Sequence, residues 1–476
     1  MSEMKKRKRA RRRYKKPAAG YAVPFFVAMA VLTVVAFIIP LRPTQSYSEK
    51  RNLAVFPEFS IEALASGSYF DDISLWFSDT FPGRESWLQL SASVQELHGK
   101  SEITIYGDIQ QGDEIPTIPT AAPTQATTAP ATEPTTAPTT EPTTAPTTEP
   151  TEPTVKETVE APTIPVEEWG GVDAGELEQA VLGNVIQIGN AAYEYFAFSQ
   201  YWSDYYVGNI NDLADAMAER GTRVVSAMAP SAIGVMVEPE YMEQLGCADQ
   251  AAALDYMLAT MNDNVVKVDS YQTLVDHNDE YIYFRTDHHW TALGAYYVYL
   301  DICQALGLEP APLESFEVWD QGTFQGSLYW SCYQSSALEL DNVYAYNPPG
   351  ELRTWITGGD GGTFEWTVLT DMQYSDESSK YMTFIAGDNP LVEIVNYDMP
   401  EDGPTCVLVK DSFGNPVAPF LTQNYRTVYV VDFREYFNMN LRGFADIYDV
   451  DDIIFCHMLG MSQTEGASGL FNFLCG

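Results

Sequence analysis

The chain has 476 residues, 45% of them hydrophobic, and carries 26 Lys/Arg against 66 Asp/Glu for a net charge of −40. Ten of those cations and one Glu fall within residues 1–16, so the rest of the chain carries −49. Nucleic acid is excluded as the main partner, because a phosphate backbone needs cations on the folded part, while the length and apolar content suit one large or two ordinary globular domains.

Residues 1–17 read as a basic cytoplasmic tail. From Ala18 to Ile39 no residue is charged and most are apolar (AAGYAVPFFVAMAVLTVVAFII). As a helix this run spans about 33 Å, matching a hydrocarbon core of roughly 30 Å. The basic residues just before it predict a cytoplasmic N-terminus and a single-pass anchor in the cell membrane, with the main domain extracellular. A cleavable signal peptide is the rival reading. The run ends IIPLRP, without a small-x-small site, which favours an uncleaved anchor.

Ser46–Gly107 reads as a small folded segment, in which Trp87, Leu90, Val94 and Leu97 are spaced for an amphipathic helix. Pro116 to Pro165 is a Thr/Pro-rich tract, with proline at every fourth position from Pro130 to Pro150. Proline removes donors, and Thr, Ala and Glu offer no core, so a disordered, extended linker is expected. In a polyproline II conformation it would reach on the order of 150 Å, a length suited to crossing a cell wall.

Residues 167–476 alternate strand and helix signals. NINDLADAMAERG (209–221) predicts a helix ending at Gly221, and TRVVSAMAP a buried strand stopped by Pro230. Asn264–Val268 reads as a short strand and EYIYFRT as an extended run before Asp287. Thr291 to Leu306 predicts a helix, with Thr291 as N-cap and Gly307 past its end. RTWITGGDGGTFEWTV predicts a hairpin turning at Gly358–Gly362, and TCVLV, TVYVV and DIIFC are short apolar strands. The pattern is α/β with a mostly parallel sheet. No two of the six cysteines have zinc spacing, and buried free thiols are the expected state of Cys406 and Cys456.

The chemistry centres on TDHHW. The chain has five histidines, and His288 and His289 stand side by side. An Asp two residues before a His can accept one imidazole N–H, fix the tautomer and leave the second nitrogen to take a proton. A zinc site from adjacent histidines is disfavoured because their side chains diverge, and His288 reads as a packing or solvent-facing neighbour. The candidate nucleophile is Ser412 in VLVKDSFGNP, at the carboxyl end of a strand, where open α/β sheets bind ligands. Main-chain N–H groups at the following helix start, and the Asn415 amide, are candidates to face an oxyanion. Arg434 is a candidate for substrate carboxylates, though an ion pair with a neighbouring acid is the favoured reading. Lys410 stands where a GxSxG elbow needs glycine.

Together, TDHHWTALGAYYVY and KDSFGNPVAPFL with VYVVDFREYF resemble the DHHW protein family, and EKRNLAVFPEFS, FSDTFPGRESW and FQGSLY resemble other parts of it. That family is similar to the SGNH-hydrolase-like domain of the alginate O-acetyltransferases of the AlgX and AlgJ type, in which an Asp-x-His-Trp motif precedes the nucleophilic serine. The resemblance covers Ser46–Gly107 and about Val181–Phe473 and departs at DSFG and at the Thr/Pro tract. It implies an SGNH-hydrolase-like α/β domain with helices flanking the sheet. Its triad would be Asp287 as orienter, His289 as base and Ser412 as nucleophile, with no cofactor and no metal. The implied activity is ping-pong O-acetyl transfer to a surface polysaccharide. No acetyl-CoA is available outside the membrane, so a multipass membrane O-acyltransferase is implied as acetyl donor. An esterase with the same triad, and a non-catalytic wall- or polysaccharide-binding protein, are the alternatives.

Overall fold

The computed structural model describes residues 184–476 throughout, 103–107 and 111–117, and, nearer the N-terminus, 42, 44–46, 51–57, 59–60, 68–81 and 83. The basic tail, the anchor at 18–39, the helix expected around Trp87–Leu97 and the Thr/Pro tract from residue 118 onward lie outside the described residues. No helix among the described residues is long and apolar enough to cross a membrane.

The chain divides into two compact units. In the N-terminal one, Gln45–Ser46 pairs antiparallel with Arg51–Asn52, and a helix runs over Ser68–Asp79. The Arg42 guanidinium lies 4.0 Å above the Trp76 ring and donates to Thr80 Oγ1 at 2.7 Å, which closes the helix end.

The larger unit is built on an eight-stranded sheet. Its strands are β1 (Arg223–Ser226), β2 (Val265–Lys267), β3 (Leu352–Thr357), β4 (Thr363–Trp366), β5 (Leu391–Asn396), β6 (Thr405–Lys410), β7 (Thr427–Asp432) and β8 (Asp452–Cys456), in the order β4-β3-β5-β7-β6-β8-β1-β2. From β7 to β2 every pairing is parallel, whereas β4, β3, β5 and β7 pair antiparallel. The sheet is therefore mixed rather than mostly parallel. One antiparallel pairing has a local cause: the Gly358–Gly362 turn folds β4 back on β3 as a hairpin. The parallel half shows the apolar runs read from the sequence. Cys406 to Val409 and Ile453 to Cys456 are fully buried because helices cover both faces.

Two helices seat the site. The first, α1 (Gln200–Ala218), buries Tyr206, Ile210, Leu213 and Met217, an i, i+4, i+7, i+11 stripe. It begins nine residues before the expected start at Asn209, and its first turn is capped from far away, by Asp113 Oδ2 accepting from Gln200 N–H at 3.0 Å. A cap 87 residues distant leaves no local mark in the sequence. The second, α2 (Ala292–Leu306), has the expected ends: Thr291 Oγ1 accepts from Gly294 N–H, and Gly307 sits at φ 69°.

The extended run expected at Glu280–Thr286 is not a strand. Apart from one bridge between Tyr283 and Trp290, it is a loop. Its N–H groups are taken by a side chain: Asp341 accepts from the main chain of Arg285 and Thr286 at 2.7–3.0 Å, from the Thr286 hydroxyl and from Tyr281 Oη. One buried carboxylate thus replaces a neighbouring strand.

Candidate active site

The site forms where this loop meets the carboxyl end of β6. The register aligns Lys410 of β6 with Asp432 of β7 on one side and with Cys456 of β8 on the other, so residues 411–413 leave the sheet at its centre. Ser412 opens a short 3-10 turn, Ser412–Gly414. Asp411 holds that turn: its carboxylate accepts from Phe413 N–H at 2.9 Å and from Met458 N–H at 2.9 Å, tying β6 to the segment after β8. Burial pushes the Asp411 carboxyl up to about 6, against the opposing effects of Arg434 and of these two N–H groups.

Ser412 Oγ–H donates to His289 Nε2 at 2.6 Å, and His289 Nδ1–H donates to Asp287 Oδ1 at 2.5 Å. Asp287 Oδ1 also accepts from His289 N–H at 3.1 Å, and Oδ2 accepts from Ser327 N–H at 2.7 Å. Burial opposes charge on Asp287, but His289, His288 and these donors outweigh it and hold the carboxyl well below the ordinary carboxylate range. An ionised Asp287 fixes the tautomer that leaves Nε2 free to take the serine proton. The structure thus brings Asp287, His289 and Ser412 into one chain of hydrogen bonds, all three about 95% buried.

Neighbours lock this chain in place. The Tyr381 ring stacks on His289 at 4.0 Å and 12°, and its hydroxyl donates to Ser412 O at 2.9 Å. Trp290 is fully buried and donates through Nε1 to Phe413 O at 2.9 Å, so consecutive residues, His289 and Trp290, grip consecutive residues, Ser412 and Phe413. His288 is buried, not solvent-facing. Its ring lies 3.7 Å from His289, and Nδ1 bonds Ser327 Oγ at 2.8 Å. Asp287, His288 and His289 place three metal-ligating atoms within 4.8 Å of one another. The 2.5 Å between His289 Nδ1 and Asp287 Oδ1 is a hydrogen-bond length. It is shorter than the ~3.3 Å between two ligands of one tetrahedral zinc.

Asn415 and Arg434 both turn to Asp388, and for Arg434 this is the favoured ion pair with an acid. Asn415 Nδ2 donates to Asp388 Oδ1 at 3.0 Å. Arg434 is 1% exposed and its guanidinium pairs with Asp432 at 2.8 Å and Asp388 at 2.9 Å, so it is a buried partner of acids rather than a surface for substrate carboxylates. Lys410 completes the group, with Nζ 2.7 Å from Asp432 and 2.9 Å from Asp388. Three N–H groups at this turn have partners: Phe413 donates to the Asp411 carboxylate, Gly414 to Asp411 O and Asn415 to Ser412 O.

Sequence reasoning missed Tyr381, Asp341, Ser327 and Gly326. FQGSLY carries only a family resemblance in the sequence, yet a Cβ on Gly326 would stand 2.2 Å from Asp287 Cβ and 2.5 Å from Thr286 O. Gly326→Ala is therefore expected to displace the Asp287 loop. The measurement is thermal unfolding alongside acylation of Ser412. A loss of about 1–3 kcal/mol with slower acylation is expected, and a wild-type value for both would show the close approach to be dispensable.

His457, fully buried after β8, bonds Met458 O at 3.0 Å and Tyr206 Oη at 2.8 Å. Burial lowers its pKa to about 4. In the unfolded chain a histidine titrates near 6.5, so between pH 6.5 and about 4 the unfolded state binds the extra proton. The stability that neutral His457 allows is full above pH 6.5 and is lost as pH falls through this window, by about 3 kcal/mol in total. Urea unfolding across pH 4–7 should show wild type losing stability relative to His457→Gln by that order, and parallel curves would contradict the assignment.

A sequence model of a family described as DHHW protein matches residues 49–122 and 154–431. No curated protein matches the chain. Among solved structures, a DHHW family protein from Eubacterium siraeum superposes with a TM-score of 0.55 at 24% identity, covering 61% of this chain and 95% of that one. Bacillus cereus PatB1 superposes with a TM-score of 0.50 at 16% identity over 61% of this chain and 99% of its own, and it has also been solved with a sulfonyl adduct. The O-acetyltransferase domain of Pseudomonas putida AlgJ gives a TM-score of 0.34 at 12% identity, covering 60% of this chain and 96% of that one, too loose a likeness for residues to be carried across. The first two establish a shared α/β fold.

Proposed function

Because the chain belongs to the DHHW family, we propose that it is an O-acetyltransferase of the cell envelope, held at the membrane by residues 18–39 and acting outside it on a surface polysaccharide. The observation that carries this reading is the Ser412–His289–Asp287 hydrogen-bond chain, assembled from two segments 123 residues apart. His289 takes the Ser412 proton as Oγ attacks the carbonyl of an acetyl donor. The donor's leaving group then takes that proton, and acetyl-serine remains. A sugar hydroxyl next gives its proton to His289, attacks the acetyl carbon and leaves as the O-acetyl ester, with the proton returned to Ser412. A multipass membrane O-acyltransferase is the proposed donor.

Two findings support a covalent step. The tautomer fixed by Asp287 leaves Nε2 facing Ser412, and a protein of the same fold has been solved with a sulfonyl adduct. The test incubates the full chain with an activated acetyl ester, with and without added glycan, and reads the mass of the Ser412 peptide. Acetyl on Ser412 that moves to glycan supports transfer, and acetyl released only to water supports the esterase. Absence of any adduct, with wild type and Ser412→Ala alike, would leave a binding protein.

A further inference from the structure

Residues 184–476 contain 42 Asp/Glu and ten Lys/Arg, a net charge of −32. All ten cations are engaged within the protein. Lys410 and Arg434 are sealed between Asp388 and Asp432. Arg220, Arg223, Arg285 and Arg353 each have a carboxylate within 4.0 Å. Lys267, Lys380, Arg426 and Arg442 donate to main-chain carbonyls.

An anionic polymer is held by lysine and arginine that give up water for its carboxylates or phosphates. Here each such cation would first have to leave a partner, against the repulsion of a surface richer in acids by more than four to one. Among residues 184–476, what remains to grip a ligand is aromatic rings and carboxylates. Tyr201 is 65% exposed and packs edge-on to Trp202 at 4.6 Å. Tyr201 also lines a cleft of about 800 Å³ together with Asp113, Glu114 and Asp204, and no cation lines it. Rings stack on sugar faces, and carboxylates accept from hydroxyls and pair with ammonium groups.

From this we infer that the acceptor is a glycan without fixed negative charge, neutral or amine-bearing, and that uronate and phosphate polymers are rejected. The inference rests on the proposed transfer to a polysaccharide but concerns binding, so the two can fail separately. The alginate-type precedent behind the resemblance would then extend to the chemistry and not to the acceptor.

The experiment measures binding of matched-length gluco-oligosaccharide, glucosamine oligosaccharide and oligogalacturonate to the full Ser412→Ala chain. In parallel it measures acetyl transfer to each by wild type from an activated acetyl ester. The glucosamine chain is expected to bind best. Its affinity should fall on the order of tenfold from about 20 to about 200 mM salt, as screening weakens an opposite-charge contact. The gluco-oligosaccharide should bind with little salt dependence, and the oligogalacturonate at least about tenfold more weakly than either at low salt. Oligogalacturonate binding as tightly as the others, or accepting acetyl as fast, would overturn the inference. So would binding of none of the three. The expected binding order with no acetyl ever appearing on Ser412 in wild type would uphold the acceptor class and refute the proposed transfer.

Discussion

Ser412→Ala is expected to abolish acetyl-enzyme formation and to lower turnover of an activated acetyl ester on the order of 10⁴-fold or more. The reason is geometric. Ser412 Oγ is the group on His289 Nε2, at 2.6 Å, and no hydroxyl replaces it in the alanine chain. Asp287→Asn should cost a similar factor by another route. The carboxylate now accepts from His289 Nδ1–H, whereas an amide nitrogen there would favour the opposite tautomer and put a proton on Nε2, facing the serine. The two variants differ in their effect on folding. Losing the serine hydroxyl removes one hydrogen bond and should cost about 1 kcal/mol. Losing the Asp287 charge also weakens the acceptor that holds Ser327 N–H and His289 N–H, so its unfolding midpoint should fall further. Burst kinetics and intact mass decide the matter. A Ser412→Ala chain that still gains a covalent acetyl group, or that turns over within tenfold of wild type, would remove Ser412 from the mechanism.

Lys410→Met is expected to be the most destabilising single change outside the site, by about 3–5 kcal/mol in urea unfolding. Lys410 is fully buried, two residues before the serine, and its ammonium bridges Asp388 and Asp432. Burial alone would lower its pKa, but the two carboxylates outweigh this and hold it above the ordinary lysine value. Removing it leaves two acids to share Arg434 alone, an uncompensated charge at the sheet's centre. Asp388→Asn in the same chain removes that surplus, so the double variant should recover part of the loss. Its Asp388 side chain is about one-third exposed, which limits how much of the cost returns. A Lys410→Met chain as stable as wild type would show that the group can repack without its lysine. A double variant worse than the sum of its parts would show that Asp388 holds the site by contacts other than charge.

The parallel strands and the Asp287–His289 pair were legible in the sequence because their signals are local, whereas Ser412 was joined to them only through the family resemblance. Strands buried on both faces must be apolar throughout, as in Cys406–Val409, and an Asp-x-His pair carries its own hydrogen-bond logic. The shell around them was not legible, because each of its members acts across a long separation. Asp113 caps a helix that starts 87 residues later. Asp341 holds the Thr286 main chain from 55 residues away, and Tyr381 reaches the Ser412 carbonyl across 31. None of these leaves a periodicity or a motif. Lys410 shows the same limit. In sequence it served only to rule out one kind of serine elbow, while in the fold it joins a charge cluster whose acids, Asp388 and Asp432, each lie 22 residues from it.

The double grip of His289 and Trp290 on Ser412 and Phe413 joins positions 123 residues apart. Closing a loop of that size is slow and gains nothing until the sheet between its ends is in place. The Ser412–His289 bond therefore belongs to the assembled sheet and not to its separate segments. A chain still unfolded, or one nicked and half-unravelled, holds Ser412 away from His289. Reactivity at Ser412 would accordingly count the intact molecules in a preparation, with the damaged ones invisible to it.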